Sequence, residues 1–319
     1  MKNHALKFAC RRFAAGLALA SCSLYSWGAP FAYVPNEGSG TISVIDTGKD
    51  EVVKEIKAGK KPRGIAAGGN LIYVSDQPNN ALLVVDVDKQ QVIESIDLGE
   101  SPEGVGASSD GRWVATAVEL TNSIALIDTA TKQRVASIKV EGKNPEHAVF
   151  SPDGKWIFSS AEEATQVDII DLAQRKEVGS VPVGRRPRGI GFLPDSSKAY
   201  VACELDSTVF VIDVGAQKVL KKIKAGTFSN GVTVRPDGKR VYISNGKDAT
   251  VSVIDTDTNE IIATIPVGKR PWNMAITPDG KKLYVATGRS NAVSVIDTDT
   301  NQRIKEIAVG ELPWGVVIH

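Results

Sequence analysis

The chain repeats itself seven times, and this periodicity constrains its fold more than any other feature. A motif of two branched apolar residues and an aspartate ends at Asp46, Asp86, Asp128, Asp171, Asp213, Asp255 and Asp297. The successive intervals are 40, 42, 43, 42, 42 and 42 residues. A glycine, followed in six of seven cases by a proline three residues later, runs in phase with it at Gly59, Gly99, Gly142, Gly184, Gly226, Gly268 and Gly310. The 319 residues alone suggest about two domains at roughly 150 residues each. An internal period of this length instead means one supersecondary unit stacked against copies of itself.

Each unit holds four short runs rich in Val, Ile and Tyr, bounded by turn residues. In the last full unit these are Trp272–Thr277, Lys282–Thr287, Ala292–Asp297 and Arg303–Val309. Asp-Gly pairs at Asp110-Gly111, Asp153-Gly154, Asp237-Gly238 and Asp279-Gly280 separate the first run from the second. They predict tight hairpins with positive φ angles. Four strands per unit make a propeller blade. The expected fold is therefore all-β, a single seven-bladed β-propeller over residues 30–319. The Gly-His and Trp-Asp signatures of WD40 repeats are missing. Phe31–Pro35 matches a second strand and Trp314–His319 a first strand. The C-terminal strand is thus expected to complete the N-terminal blade and leave no open edge.

The segments Leu283–Thr287 with Val293–Thr298, and Val241–Asn245 with Val251–Thr256, resemble the YVTN β-propeller repeat. The resemblance extends over residues 31–319. Members of that family are mostly exported, and many have no assigned activity. Length and leader look most like the periplasmic propellers associated with PQQ-dependent alcohol catabolism. That resemblance implies a link to a pathway and does not make PQQ a ligand of this chain.

Residues 1–29 read as a signal peptide. Lys2, Lys7, Arg11 and Arg12 precede an apolar run from Phe13 to Ala20, and no acidic residue occurs before Glu37. The run is too short to span a bilayer, which needs about 20 residues. Two cleavage readings stand open. One cuts after Ala29. The other treats Leu19-Ala20-Ser21-Cys22 as a lipoprotein box, with signal 1–21 and a lipid on Cys22 as the sole membrane attachment. Without residues 1–29 the chain keeps 34 basic against 37 acidic residues, and nothing resembles the basic stripe of a nucleic-acid binder. A periplasmic monomer is expected. Outside the leader only Cys203 is certain to remain. It sits at a strand end as a candidate buried thiol.

Repeat topology also locates a candidate site. The residue after each marker proline opens an innermost strand, so seven such residues should ring one channel mouth: Trp314, Arg63, Glu103, Glu146, Arg188, Asn230 and Trp272. The turn between strands two and three adds Glu37, Gln77, Glu119, Glu162, Glu204, Gly246 and Gly288. These positions differ in chemistry while the scaffold markers stay constant, as expected for functional loops on a rigid frame. The glutamates favour a cation or amine, and the arginines a carboxylate. Trp272 and Trp314, on adjacent blades, are expected either to form an apolar or stacking wall or to pack over the closure seam. His147 stands where five of the other six repeats carry glycine, and joins the mouth as a candidate base or ligand. The structural alternative pairs Arg63 with Glu103 and Arg188 with Glu146 across neighbouring blades. On the binding reading, removing a single arginine is expected to change stability by only about 0.5 kcal/mol, as on a surface. Trp113 and Trp156 are expected between blades or on the surface.

No metal site or cofactor is expected. Beyond the leader only His147 and His319 remain among histidines, and no Cys-x-x-Cys-His, nucleophile elbow or phosphate loop occurs. Two functions compete. One is a non-catalytic binding or accessory protein, for a small molecule or a periplasmic partner, near PQQ-dependent alcohol catabolism. The other is a periplasmic lyase, hydrolase or dehydrogenase subunit with its site at the mouth. Fold alone does not choose between them.

Overall fold

The computed structural model describes Met1 and residues 30–319; the expected signal peptide, both cleavage points and Cys22 lie outside the described residues. Among the described residues, 28 strands form seven four-stranded sheets, each a meander of antiparallel neighbours. The last full blade is Pro271–Ile276, Lys282–Thr287, Ala292–Asp297 and Gln302–Ala308, within one residue of the expected bounds. No helix among the described residues is long and apolar enough to cross a membrane.

Blade 1 is assembled from both ends of the propeller. Its strands Phe31–Asn36, Thr41–Asp46 and Glu51–Lys57 are completed by Val317–Ile318. Ala32 pairs with Ile318 and Tyr33 with Val317. Backbone bonds from Phe31 N to His319 O (2.8 Å) and from Trp314 N to Pro35 O (2.9 Å) extend the contact. Blades 2 to 7 follow in chain order.

Blade stacking explains the repeated apolar residues. The second strands carry Tyr33, Tyr73, Tyr200, Tyr242 and Tyr284, all fully buried. Seven core clusters each straddle two blades. The one at the closing seam joins Ala32, Val34 and Ile45 to Tyr284, Val293 and Val295. A buried large side chain contributes about 1.5–3 kcal/mol, so the seam is held as the other interfaces are. Trp113 and Trp156 pack partly buried against such clusters, as expected. Cys203 is fully buried, and its thiol pKa is pushed up to about 12 by burial.

The marker aspartates cap turns. Asp46 Oδ1 accepts the amide of Gly48 at 2.9 Å, and Asp297 Oδ1 accepts that of Thr300 at 2.8 Å. Short polar side chains favour such positions because they bond nearby backbone. The Asp-Gly hairpins differ from expectation. In each loop only the glycine has positive φ, from +70° at Gly111 to +73° at Gly280. The aspartate instead accepts bonds from within a five-residue loop, as Asp110 does from Ser108 and Arg112.

Every outer strand carries a bulge. In blade 1, Val44 pairs with Lys54 and Ile45 with Val52, leaving Val53 as the extra residue. The same offset recurs through Ile304 in blade 7. Bulges interrupt edge pairing and blunt an exposed strand.

Candidate functional site

A second bulge, at the opposite side of each blade, builds the mouth. In blade 2, Pro62 pairs with Asp76 and Ile65 with Val74, so Arg63 and Gly64 share one partner position. Blades 3, 5, 6 and 7 repeat this offset, and in blade 4 the extra residue is Glu146. An extra residue re-aims its side chain out of the strand's alternation. Here it lifts the post-proline side chains toward the axis.

The result is a polar cavity of about 430 Å³. It is lined by Trp314, Arg63, Glu103, Glu146, Arg188, Asn230 and Trp272 from the inner strands, and by Glu37, Gln77, Glu119 and Glu162 from the turns. The structure thus brings most of the expected ring together. Glu204 lies beneath it, 1% exposed, covered by arginines. His147 departs from expectation. It faces a separate chamber of about 130 Å³ below the mouth, with Asn273 and Met274.

The arginines are tied down by several carboxylates each. Arg63 bonds Glu103 and, at 3.0 Å, Glu37. Arg188 bonds Glu146, Glu162 at 3.3 Å and Glu204 at 3.2 Å, with its side chain only 13% exposed. The surface-like effect of about 0.5 kcal/mol expected for arginine removal does not fit this setting. Removing one partner of a buried network leaves uncompensated charge, at about 3–5 kcal/mol.

Two further arginines complete the network. Arg186 bonds Glu162 and approaches Glu204 at 3.4 Å, and Arg270 reaches Glu204 at 2.7 Å. Sequence reasoning passed over both. They belong to a third ring, the residue before the marker proline, which also supplies Ser101 to Glu119 and Asn144 to Glu162. All of this ring except Lys61 is left-handed: φ is +61° at Ser101, +60° at Asn144, +57° at Arg186 and +55° at Arg270. Non-glycine residues held there cost on the order of 1 kcal/mol each, and surrounding contacts must hold them. The signal was present as polar residues at a position where a bland scaffold would place glycine.

The two turn glycines make room for large neighbours. A Cβ at Gly246 would lie 3.0 Å from Arg270 Nη1, so the bare backbone lets Arg270 cross blade 6 to Glu204. A Cβ at Gly288 would lie 2.5 Å from the Trp272 ring. Trp272 therefore lies flat on blade 7. Trp272 and Trp314 both line the cavity but do not stack on each other. Trp314 stacks instead on His147, with ring centroids 5.6 Å apart and planes 20° from parallel. Trp314 lines both cavities and so divides the channel.

Burial and crowding set the protonation pattern. Burial, reinforced by the charge of Glu146, raises Glu103 to about 9 despite Arg63. Burial also lifts Glu119 and Glu162, with the neighbouring carboxylates adding to it and hydrogen bonds or arginines opposing. At Glu146 burial pushes upward too, but Arg188 foremost outweighs it, and the carboxyl stays below its usual range. Burial lowers His147, which stays neutral; both ring nitrogens lack a hydrogen-bond partner among the described residues.

A group with metal-binding potential also emerges, where the sequence suggested none. One carboxylate oxygen from each of Glu119, Glu146 and Glu162 lies within 4.8 Å of the others. The sequence reading looked for histidine and cysteine spacing, whereas these are oxygen donors from two blades, two on turns and one at an inner-strand bulge.

Residues 170–308 match the family model described as Lactonase, 7-bladed beta-propeller. No curated protein matches the chain. Among solved structures, Kuenenia stuttgartiensis hydrazine synthase is 24% identical, with a TM-score of 0.77 over 83% of this chain and 92% of that one. A functionally unknown Desulfotomaculum acetoxidans protein is 17% identical, with a TM-score of 0.80 over 90% and 98%. A Bacteroides uniformis protein described as a candidate 6-phosphogluconolactonase is 20% identical, with a TM-score of 0.77 over 91% and 99%. Likeness at these identities shows the fold. The family match begins after Arg63, Glu103, Glu119, Glu146 and Glu162, so it covers Arg186, Arg188 and Arg270 but neither Arg63 nor the acidic cluster.

Proposed function

We propose that this chain is an exported, non-catalytic binding protein that takes a small positively charged ligand into the channel mouth. One observation carries the reading. Six glutamates and four arginines line the cavity, and Glu119 faces it with no cation within 4 Å among the described residues. Among the described residues its only side-chain hydrogen bond comes from the Ser101 hydroxyl, at 2.7 Å. The arginines are already saturated by carboxylates, so the uncommitted charge is negative. The leader supports a periplasmic setting, with or without a lipid on Cys22. The YVTN resemblance supports an accessory role beside PQQ-dependent alcohol catabolism.

A second reading, hydrolysis of a small lactone, draws on the matched family and on Glu103. A carboxyl held protonated to about pH 9 beside the Arg63 guanidinium offers an acid and a carbonyl-polarising cation. The two readings separate in one experiment. Thermal melts and calorimetry with 1,4-diaminobutane, an uncharged diol of the same length and a sugar lactone are run on the parent and Glu119→Gln. The binding reading expects a melt shift with the diamine alone, lost in Glu119→Gln. Turnover of the lactone, abolished by Glu103→Gln, would overturn it.

A further inference from the structure

We propose that the mouth binds a calcium ion between the carboxylates of Glu119, Glu146 and Glu162, with Glu103 as a fourth oxygen donor. The inference rests on the reading of the mouth as a cation-binding cavity and names the cation.

The spacing comes first. Calcium binds oxygen at about 2.3–2.6 Å, so two opposed ligands stand about 4.6–5.2 Å apart. Magnesium, at about 2.0–2.1 Å, needs opposed ligands about 4.0–4.2 Å apart in a stricter octahedron. Three oxygens mutually within 4.8 Å suit an ion of this class, and a set of protein carboxylates from turns and a bulge favours calcium, which tolerates irregular coordination where magnesium does not. The donors are all hard carboxylate oxygens, which select calcium or magnesium over zinc or copper.

Glu103 is the independent second observation. Its side chain is 2% exposed and lines the same cavity. Arg63 and Gln77 donate to its Oε1, while its Oε2 is buried with no partner among the described residues. A buried carboxylate oxygen left bare is unusual, because such groups nearly always find a donor or an ion. The other three keep capacity as well. Arg188 engages one oxygen of Glu146, and Glu162 Oε2 accepts only the Asn144 amide at 3.3 Å. Each carboxylate offers about four acceptor sites, so these bonds do not exhaust it. Three carboxylates and the Glu103 carboxyl crowd one cavity, and a dication among them would replace the Glu103 proton and turn that crowding into attraction.

The test uses terbium as a calcium surrogate on the full chain. Trp272 and Trp314 line the cavity, so exciting tryptophan should sensitise terbium emission. Calcium should displace terbium at lower concentration than magnesium does. Glu119→Gln should weaken binding on the order of 10-fold or more, while its metal-free melt stays at or above the parent's. Glu119 has no cationic partner to strand, so this variant should fold. Equal affinity in parent and variant, or no calcium heat by calorimetry, overturns the proposal. If 1,4-diaminobutane binds and calcium does not, the calcium site falls and the cation-binding mouth stands. If neither binds, both fall.

Discussion

Trp314, five residues before His319, stacks on His147 of blade 4 across the channel, with ring centroids 5.6 Å apart. Trp314 lies on the segment that leads into Val317–Ile318, the inner strand of blade 1. One aromatic pair therefore ties the closing segment to the far side of the ring and separates the mouth from the lower chamber.

That contact predicts a stability effect. Trp314 is 9% exposed. Trp314→Ala should lower unfolding free energy by about 2–4 kcal/mol, near the lower end for a large buried aromatic. It should also merge the two cavities. Chemical denaturation measures the first effect, and a crystal structure of the variant shows the second. A loss below about 0.5 kcal/mol would mean that the stack contributes nothing.

Arg188→Ala should destabilise by about 3–5 kcal/mol, because it leaves Glu146, Glu162 and Glu204 facing one another in a buried site. The triple change that also replaces Glu146 and Glu204 with glutamine should recover most of that loss. Urea unfolding of both variants checks the coupling. Equal instability in the two would remove charge as the cause.

Asp168 sets a pH dependence away from the mouth. Burial, aided by Glu177 and opposed by the Gln166 amide, raises its carboxyl to about 6. The folded state thus holds this proton more tightly than the unfolded chain, whose aspartate titrates near 3.9. Its contribution to stability is fully present below about pH 4 and is lost as pH rises through 6. Asp168→Asn should stabilise the protein by about 2–3 kcal/mol above pH 7 and have little effect at pH 4. Melting curves from pH 4 to 8 test the sign.

Deleting Leu312–His319 should open the ring. The deletion removes the strand paired with Ala32 and Tyr33, the Trp314 stack and Val316 from the seam core. Cooperative thermal unfolding should give way to a broad transition at lower temperature, with loss of near-ultraviolet dichroism. A sharp, unshifted melt would show that blade 1 closes with three strands.

The scaffold was legible residue by residue. Asp46 and its six counterparts marked each third turn because that turn needs a capping carboxylate. The strand with Tyr284 could be placed in blade 7 because every blade hides the same side of its second strand. Chemistry at the mouth was only partly legible. The rings holding Arg63 and Glu119 followed from repeat register, whereas Arg186 and Arg270 were missed. Their approach depends on left-handed backbone before the proline, and for Arg270 on the gap left by Gly246.

By itself the sequence determined the number of blades, their strand order, the way the ring closes and most of the side chains that rise at one mouth. These follow from local patterns that recur every 42 or so residues, and repetition makes a weak signal strong. Tertiary structure alone decided the partnerships: Trp314 with His147 rather than Trp272, Arg188 with three glutamates rather than one, Glu103 with an unpaired oxygen. Register places a residue at a radius and height on the ring. It does not say how far a long side chain leans across the axis, because that depends on the size and charge of residues contributed by other blades.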